Sequence, residues 1–236
     1  MREENISRLG GLTISKNARD FLAMYFLIRD LKEVISTYAS GETLDIGCGN
    51  KPYEELFKGK IKTYIGCDVV QSNQLKVDVI CLATALSFED NTFDTVFSTQ
   101  VIEHVDDPFK MLAEAARVLK KNGYLILSAP FSWELHEEPY DFYRYTKYGL
   151  ESMLVRNGFE LIKIKANGGK WAAIVQLYLN AVYAGFHKKK FLNRLLKGAF
   201  TTLRMTTLFN HLGLWLDHKF HDEILTLNYV VVAKKS

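Results

Sequence analysis

The chain has few cysteines, few prolines and no long uninterrupted hydrophobic run. Cys48, Cys67 and Cys81 are the only cysteines among 236 residues, and no two of them form a CxxC pair. This usage disfavours a metal ribbon or redox motif and is typical of reduced thiols in a cytosolic protein. With 48% hydrophobic and 24% charged residues, the composition excludes disordered, collagen-like and disulfide-scaffold classes.

Targeting and membrane-spanning signals are also missing. The opening MREENISRLGG has no apolar core, so it is not a secretory signal. The longest apolar run, 171–186, contains Gln176 and Asn180 and is shorter than the roughly 20 residues that a spanning helix needs. We therefore expect a cytoplasmic protein that does not cross a membrane but is able to contact one.

One long segment contains no acidic residue. Residues 171–216 carry a charge of +6, whereas the rest of the chain carries −3, so the net charge of +3 conceals an asymmetry. Three interpretations compete: a solvated helical pair, an interfacial helix on anionic lipid, and a nucleic-acid surface. The last is disfavoured because the cations are few and the aromatic residues follow helical spacing. The cations are Lys188, Lys189, Lys190, Arg194, Lys197 and Arg204.

Short β-rich runs alternate with helical patterns along most of the chain. Apolar residues at helical spacing predict a leading amphipathic helix over 17–39. The β-rich runs lie at 43–47, 63–70, 92–99, 124–131 and 158–166, and a last run at 223–235 has no helix after it. This alternation predicts an α/β fold, a doubly wound parallel sheet with helices on both faces.

Two of the intervening helices carry clear boundary signals. Asp107-Pro108 supplies an N-cap and a first-turn proline, and Lys120-Lys121 and Gly123 predict where that helix ends. Thr146 is placed to cap a second helix, which closes at Gly158. The predicted domain organisation has four parts. They are an N-terminal helical segment (1–40), a core (41–166), a helical basic and apolar cap insertion (167–222) and a final strand (223–236).

A glycine-containing loop follows the first predicted strand. Gly47 and Gly49 in LDIGCGNKP permit a tight turn and the close approach of a ligand to the backbone. Pro52 occupies the position where a dinucleotide fingerprint needs a third Gly or Ala, which disfavours a pyrophosphate-binding loop. Asp68 ends the second strand about 20 residues later, where a carboxylate is placed to accept hydrogen bonds from ribose hydroxyls.

These motifs together resemble class I S-adenosylmethionine-dependent methyltransferases of the type 11 kind. LDIGCG, YIGCD, FDTVFSTQVIEHV and ARVLKKNGYLILSAPF occur in the order of that family's motifs. The resemblance covers about 41–166 plus the final strand. It implies a Rossmann-like, mostly parallel seven-stranded sheet with an antiparallel last strand and a helical insertion before it. HEEPYDFYRYTKYGLESMLVRNGFE further resembles a subgroup found among glycan and surface-polymer biosynthesis enzymes.

The resemblance also implies S-adenosyl-L-methionine as cofactor and assigns its contacts residue by residue. The first-motif residues would hold the methionine part, Asp68 the ribose, and Val69 would pack against adenine. Leu82 stands where relatives usually have an acid that accepts from the adenine amino group, so backbone groups at Leu82-Ala83 are left to read that edge. The full set is Asp45, Gly47, Cys48, Gly49, Asp68, Val69, Leu82, Ala83 and Gln100.

Candidate catalytic residues follow the fourth and fifth strands, beside the expected cofactor. His136 is the candidate base, oriented by Glu137 or Asp141, because imidazole accepts protons near pH 7. His104 after the fourth strand is either a second candidate or a loop anchor. Arg144 either binds an anionic acceptor through its planar guanidinium or pairs with Asp141. No metal ligand is predicted.

The function expected from these residues is methyl transfer from S-adenosylmethionine, with a sugar or lipid-linked glycan oxygen as acceptor at a peripheral membrane site. A small hydrophobic acceptor, such as a quinone or lipid headgroup, is the first alternative. Because Leu82 replaces the usual acid, a catalytically inactive cofactor-binding subunit is the second. The segment 171–216 interrupts the connection between the last two strands, and its topology predicts a cap over the acceptor pocket.

Overall fold

A seven-stranded mixed sheet runs through the described residues, which are 12–185 and 189–236 of the computed structural model. The strands are β1 (Gly41–Ile46), β2 (Ile61–Asp68), β3 (Val79–Ile80), β4 (Phe93–Thr99), β5 (Leu119–Pro130), β6 (Phe159–Asn167) and β7 (Asn228–Lys235). Their order is β3-β2-β1-β4-β5-β7-β6, and β7 pairs antiparallel with both neighbours while the other pairs are parallel. The predicted fold class is confirmed.

Helices cover both faces of this sheet. They are α1 (Phe21–Tyr38), α2 (Pro108–Val118), α3 (Lys147–Arg156), α4 (Lys170–Ala184), α5 (Lys190–Thr202) and α6 (Met205–Lys219), with 3-10 turns at Glu54–Phe57 and Ile102–His104. Residues of α2 and α3, such as Met111 and Leu150, share one hydrophobic cluster with the sheet. Leu31 of α1 packs with Phe97 and Val230 in a separate cluster, on the other face.

Both predicted N-caps are present, but the end of one helix differs from the prediction. Asp107 accepts a hydrogen bond from the Lys110 amide at 3.0 Å, and Thr146 accepts one from Gly149 at 3.1 Å. The helix expected to reach Lys121 ends at Val118, because the chain enters β5 at once and Leu119 pairs with Phe93 of β4. Pairing with β4 therefore overrides the lysine and glycine end signals.

Two short elements flank the strand β2. β2 itself ends at Asp68, as predicted, and Glu54–Phe57 before it forms a 3-10 turn. The two-residue strand β3 was not predicted, because two residues are too short to show a hydrophobic period.

The insertion before β7 is helical, as predicted, and lies against α1. Ala172, Val175 and Leu179 of α4 pack in one cluster with Leu22 and Phe26 of α1. Phe186 and Lys188, like the opening residues 1–11, lie outside the described residues. The four domain boundaries stay predictions.

The two polar residues that interrupt the apolar run 171–186 join the insertion to α1. The Gln176 side chain accepts from the Ala23 amide at 3.2 Å and donates to the Arg19 carbonyl at 2.8 Å and to Asn180 at 2.9 Å. Within the described part of the chain, the helices are all too short or too polar to cross a bilayer.

Candidate functional site

A cavity of about 590 Å³ opens at the carboxyl ends of the central strands. Parallel α/β sheets bind their ligands at this edge, where the strand order reverses. All nine predicted cofactor residues line the cavity, so the structure brings together residues separated by up to 55 positions in sequence. They are Asp45, Gly47, Cys48, Gly49, Asp68, Val69, Leu82, Ala83 and Gln100.

The glycine loop turns sharply over the end of β2. Gly47 has φ +74°, and a Cβ there would lie 2.4 Å from a methyl carbon of Val101, so glycine is required. A Cβ on Gly49 would meet no atom within 4 Å, because Gly49 faces open space. The Gly49 amide donates to Asp68 Oδ2 at 3.1 Å, and the Val69 amide donates to Oδ1 at 2.7 Å. Asp68 is therefore held in place at the cavity wall.

Asp45 contributes a buried carboxyl group to the same wall. Its side chain is 3% exposed and accepts a hydrogen bond of 2.6 Å from the Tyr64 hydroxyl. Burial raises the pKa of Asp45 to about 7, although the Tyr64 hydrogen bond opposes this shift. A cationic ligand group beside Asp45 would favour the ionised form.

The cavity has no acidic side chain at position 82, where the resemblance places contact with the adenine edge of the cofactor. Leu82, which replaces the usual acid, is 57% exposed at the cavity. The nearest upstream acid, Asp78, instead accepts from the Gly66 amide at 2.7 Å and from Lys51 at 2.5 Å. Asp78 is therefore engaged behind the glycine loop and does not replace the missing acid.

Two histidines and Glu137 line the cavity beyond the cofactor residues. The rings of His104 and His136 meet edge to face with centroids 4.8 Å apart. His104 Nδ1 lies 2.8 Å from the carbonyl oxygen of Tyr140. His104 is thus both a cavity residue and an anchor of the loop after β5.

Behind His136, Asp141 and Arg144 form a buried support. Asp141 Oδ2 accepts from the His136 amide at 2.9 Å and lies 3.2 Å from His136 Nδ1. Burial tends to raise the pKa of Asp141, but Arg144, which donates to both its oxygens at 2.7 Å, holds that pKa at about 2. Burial lowers the pKa of His136 despite the carboxylate, so the imidazole is neutral near pH 7.

Asp141 and Arg144 do not themselves line the cavity. Arg144 also donates to the backbone carbonyls of Trp133 and Glu134. Of the two predicted roles of Arg144, the structure therefore favours pairing with Asp141 over capture of an anionic acceptor.

Sequence reasoning missed two groups of residues. Ala23, Met24 and Leu27 of α1 form part of the cavity wall, and no motif marks them. Glu103 is fully buried next to His104, and its carboxylate oxygens find no hydrogen-bond donor among the described residues. Burial raises the pKa of Glu103 to about 8. The signal available in the sequence was an acidic residue immediately before the candidate histidine His104.

The predicted cap over the cavity must also be corrected. None of the described residues of α4, α5 and α6 lines the cavity. The insertion packs on the side of α1 that carries Leu22 and Phe26, whereas Met24 and Leu27 line the cavity. The insertion therefore supports the cavity wall through α1 instead of covering the cavity directly.

Comparison with known proteins agrees with this geometry. Residues 44–127 match the family described as "Methyltransferase domain". The chain is 30% identical to the ubiquinone biosynthesis O-methyltransferase of Parvibaculum lavamentivorans over 97 residues, which are 36% of this chain and 38% of that protein. It spans less than half the length of the curated relatives it matches.

Solved structures share the fold at low sequence identity. A SAM-dependent methyltransferase from Archaeoglobus fulgidus has a TM-score of 0.56 and 19% identity, covering 92% of this chain and 95% of its own. The 4+2 cyclase SpnF has a TM-score of 0.56 and 19% identity, covering 88% and 80%. Because SpnF is described as a cyclase, this fold alone does not define the reaction.

The domain match covers 84 of the 236 residues and describes that part of the chain. Residues 44–127 are similar to a methyltransferase domain, and this similarity supports the predictions of methyltransferase chemistry and of an S-adenosylmethionine cofactor in that part of the chain. The comparisons give no support to the glycan and surface-polymer subgroup, which stays a prediction.

Proposed function

We propose that this chain transfers a methyl group from S-adenosylmethionine to a hydroxyl oxygen of a small hydrophobic acceptor. One observation carries the proposal: a single cavity is lined both by the nine cofactor candidates and by the paired imidazoles of His104 and His136. Gly49 leaves open space for the cofactor, and Asp68 and Asp45 line the same cavity. When bound, the cofactor supplies an electrophilic methyl group on a sulfonium.

The residues of this chain then position the acceptor and move its proton. His136 presents a neutral imidazole, oriented by the buried Asp141, as the candidate base. The acceptor oxygen forms a bond to the methyl carbon while the sulfur–carbon bond breaks, and the acceptor proton goes to His136. Alignment of the two reactants within the cavity accounts for most of the acceleration in such a displacement.

The chemistry of the cavity wall favours a hydrophobic acceptor. Met24, Leu27, Val105, Trp133 and Phe142 all line the cavity. The similarity to ubiquinone biosynthesis O-methyltransferases, at 30% identity, points the same way. A sugar or lipid-linked glycan remains the second candidate, supported by the polar groups of Asp106 and Glu137 in the same wall.

Formation of S-adenosylhomocysteine in the presence of candidate acceptors tests the proposal. We expect product with hydroxylated quinones or catechols and little with soluble sugars. Extracts of lipids and glycans from a deletion strain, searched by mass for loss of one CH₂, would identify the acceptor in the cell. Turnover with glycans alone would contradict the hydrophobic acceptor.

Calorimetry and turnover assays together distinguish the proposed enzyme from a catalytically inactive cofactor-binding subunit. We expect S-adenosylmethionine and S-adenosylhomocysteine both to bind, and turnover to fall about 100-fold or more in His136→Ala while S-adenosylhomocysteine still binds. Cofactor binding without turnover on any acceptor class would favour the inactive subunit. Failure of both ligands to bind would contradict every catalytic interpretation.

We further propose that the insertion brings the enzyme to an anionic membrane surface. Its exposed face combines cations and apolar side chains, and Phe191 is 75% and Leu195 55% exposed. Lys189, Arg194 and Arg204 are exposed on the same segment, which contains no acidic residue. Basic amphipathic helices with this composition bind in the interfacial plane of anionic bilayers. This location suits a hydrophobic acceptor.

Co-sedimentation with vesicles measures this contact directly. We expect binding to vesicles containing phosphatidylglycerol, weaker binding to pure phosphatidylcholine, and loss of binding as salt rises. Arg194→Glu with Lys197→Glu should abolish binding. Lys121→Glu with Arg156→Glu, which makes the same charge change at exposed positions outside the insertion, should leave it intact. Absence of binding by the full chain at low salt would contradict the proposal.

A further inference from the structure

Glu103, His104 and His136 form a cluster of metal-ligand side chains at the cavity. One ligand atom from each lies within 4.8 Å of the others, and Glu103 Oε1 is 3.9 Å from His104 Nε2. Ligand atoms of a tetrahedral zinc ion lie about 3.4 Å apart, so side-chain rotations that close the cluster by about 0.5–1.5 Å would complete the triangle. Glu137 Oε2, at 4.0 Å from His104 Nε2, lies near enough to add a further oxygen.

The hydrogen bonds around both rings leave the same nitrogen available. His104 Nδ1 faces the Tyr140 carbonyl at 2.8 Å, and His136 Nδ1 faces Asp141 at 3.2 Å and the Glu134 carbonyl at 3.2 Å. Acceptors at Nδ1 place the proton there and leave Nε2 as a lone pair. Metal-binding histidines typically have this outer contact to a carboxylate or carbonyl.

The burial of Glu103 is a second observation that supports a metal site, independent of the distances within the cluster. Its carboxylate is 0% exposed, and neither oxygen has a hydrogen-bond donor among the described residues. A buried carboxyl group with no hydrogen-bond partner among the described residues costs free energy, and a cation shared with the two imidazole lone pairs would satisfy it.

We infer that Glu103, His104 and His136 bind a divalent transition-metal ion of the zinc class. Two imidazoles and one carboxylate are a zinc ligand set that keeps a position open for an oxygen ligand. His104 and His136 line the cavity, so that position is accessible to the acceptor. This assignment departs from the sequence, which predicted no metal ligand.

The inference deepens the proposed function and rests on it for the metal's purpose. With an ion bound, His136 would be a ligand and would no longer be the base; the cation would lower the pKa of an acceptor hydroxyl bound to it. That hydroxyl would then lose its proton to solvent, and its oxygen would bond to the methyl carbon while the sulfur–carbon bond breaks. The site favours acceptors whose hydroxyl oxygen is able to coordinate the ion.

Cobalt titration tests the site without any assay of activity. The full chain is treated with a chelator, then titrated with Co²⁺, following the visible absorption bands and the bound metal by elemental analysis. We expect one Co²⁺ per chain, and at least tenfold weaker binding in His136→Ala, His104→Ala and Glu103→Gln. His211→Ala, at an exposed position on α6, is the matched control and should bind like the parent.

Some results of the cobalt titration would overturn the metal site. No Co²⁺ uptake, or uptake that is equal in the parent and in His136→Ala, overturns the site. If Glu103→Gln fails to fold, His136→Ala and His104→Ala still decide, because both replaced rings lie partly exposed. S-adenosylhomocysteine binding without Co²⁺ uptake overturns the metal site alone, whereas Co²⁺ uptake without S-adenosylhomocysteine binding contradicts only the proposed function.

Discussion

At the scale of single residues, Asp45 couples cofactor binding to pH. Its pKa is about 7 in the free protein, and a cationic amino group of the cofactor would bind the ionised carboxylate. Binding below that pKa must therefore release a proton. We expect the affinity for S-adenosylhomocysteine to fall about tenfold per pH unit below pH 7 and to level off above it. Calorimetry between about pH 5.5 and pH 8 measures this slope.

Asp45→Asn provides the control for this slope. The amide keeps an oxygen that can accept from Tyr64 but has no charge to titrate, so affinity should be lower and its pH dependence flat. A slope that persists unchanged in Asp45→Asn would assign the titration to another group of the cavity, and the role of Asp45 would be wrong.

Gly47 has a conformational requirement that a motif alone does not reveal. Gly47→Ala introduces a Cβ at φ +74° and 2.4 Å from Val101, so we expect the free energy of unfolding to fall by about 2–4 kcal/mol. Denaturant unfolding measures the loss. Gly198→Ala, in α5 with no atom within 4 Å of its Cβ, should instead stabilise by about 0.5–1 kcal/mol. Equal effects at the two positions would contradict this account.

Residues in local motifs were predictable, and residues brought in by packing were not. The glycine loop and Asp68 lie within a few positions of a strand end, where local sequence signals identify them. Every predicted cofactor residue lines the cavity. Met24 and Leu27 reach the same cavity through the placement of α1 against the sheet. Their sequence signal is only that of an amphipathic helix, which does not specify what its faces contact.

At the scale of secondary-structure elements, α1 is attached to β6 by one buried carboxylate. Asp30 is 0% exposed, and it accepts from Arg29 at 2.7 Å and from Asn167 at 2.7 Å, with Lys165 at 2.9 Å. Asp30→Ala leaves the buried Asn167 amide without its acceptor and leaves Lys165 with Glu33 alone, so we expect a loss of about 1–3 kcal/mol in the free energy of unfolding. Chemical denaturation measures it.

Glu33, about one turn further along the same helix, is the matched comparison. It pairs with Lys163 and Lys165 at 2.5 Å, but its side chain is 45% exposed. We expect Glu33→Ala to cost no more than about 1 kcal/mol because solvent screens the pair. If the two variants were equally destabilised, burial of Asp30 would not be what matters.

Element types followed from the sequence more closely than element ends. Periods of two and 3.6 residues identified the main strands and helices, because each element buries one face. The end of α2 was misplaced because Leu119 pairs with Phe93, a contact between residues 26 positions apart that no local signal contains. Lys120, expected at a helix end, instead reaches Asp94 at 2.8 Å.

At the scale of the whole molecule, α1 contacts the insertion through Leu22 and Phe26 and lines the cavity through Met24 and Leu27. Topology correctly placed the insertion at the rim where β6 and β7 meet, since Asn167 pairs with Asn228 and Asn228 lines the cavity. The same topology predicted that the inserted helices cover the cavity, whereas they pack beside it. That choice depends on side-chain packing between Phe26 and Leu179, which belong to distant parts of the chain.

This arrangement predicts a long-range effect of a core substitution in the insertion. Leu179 is fully buried against α1, so Leu179→Ala should lower the free energy of unfolding by about 2–5 kcal/mol and loosen α1. Because Met24 and Leu27 of α1 line the cavity, S-adenosylhomocysteine should bind more weakly although Leu179 does not line it. Hydrogen exchange across α1, with and without S-adenosylhomocysteine, measures both effects. Leu195→Ala, at an exposed position of α5, should change neither; unchanged exchange in α1 of Leu179→Ala would mean that the insertion is energetically separate from the cavity.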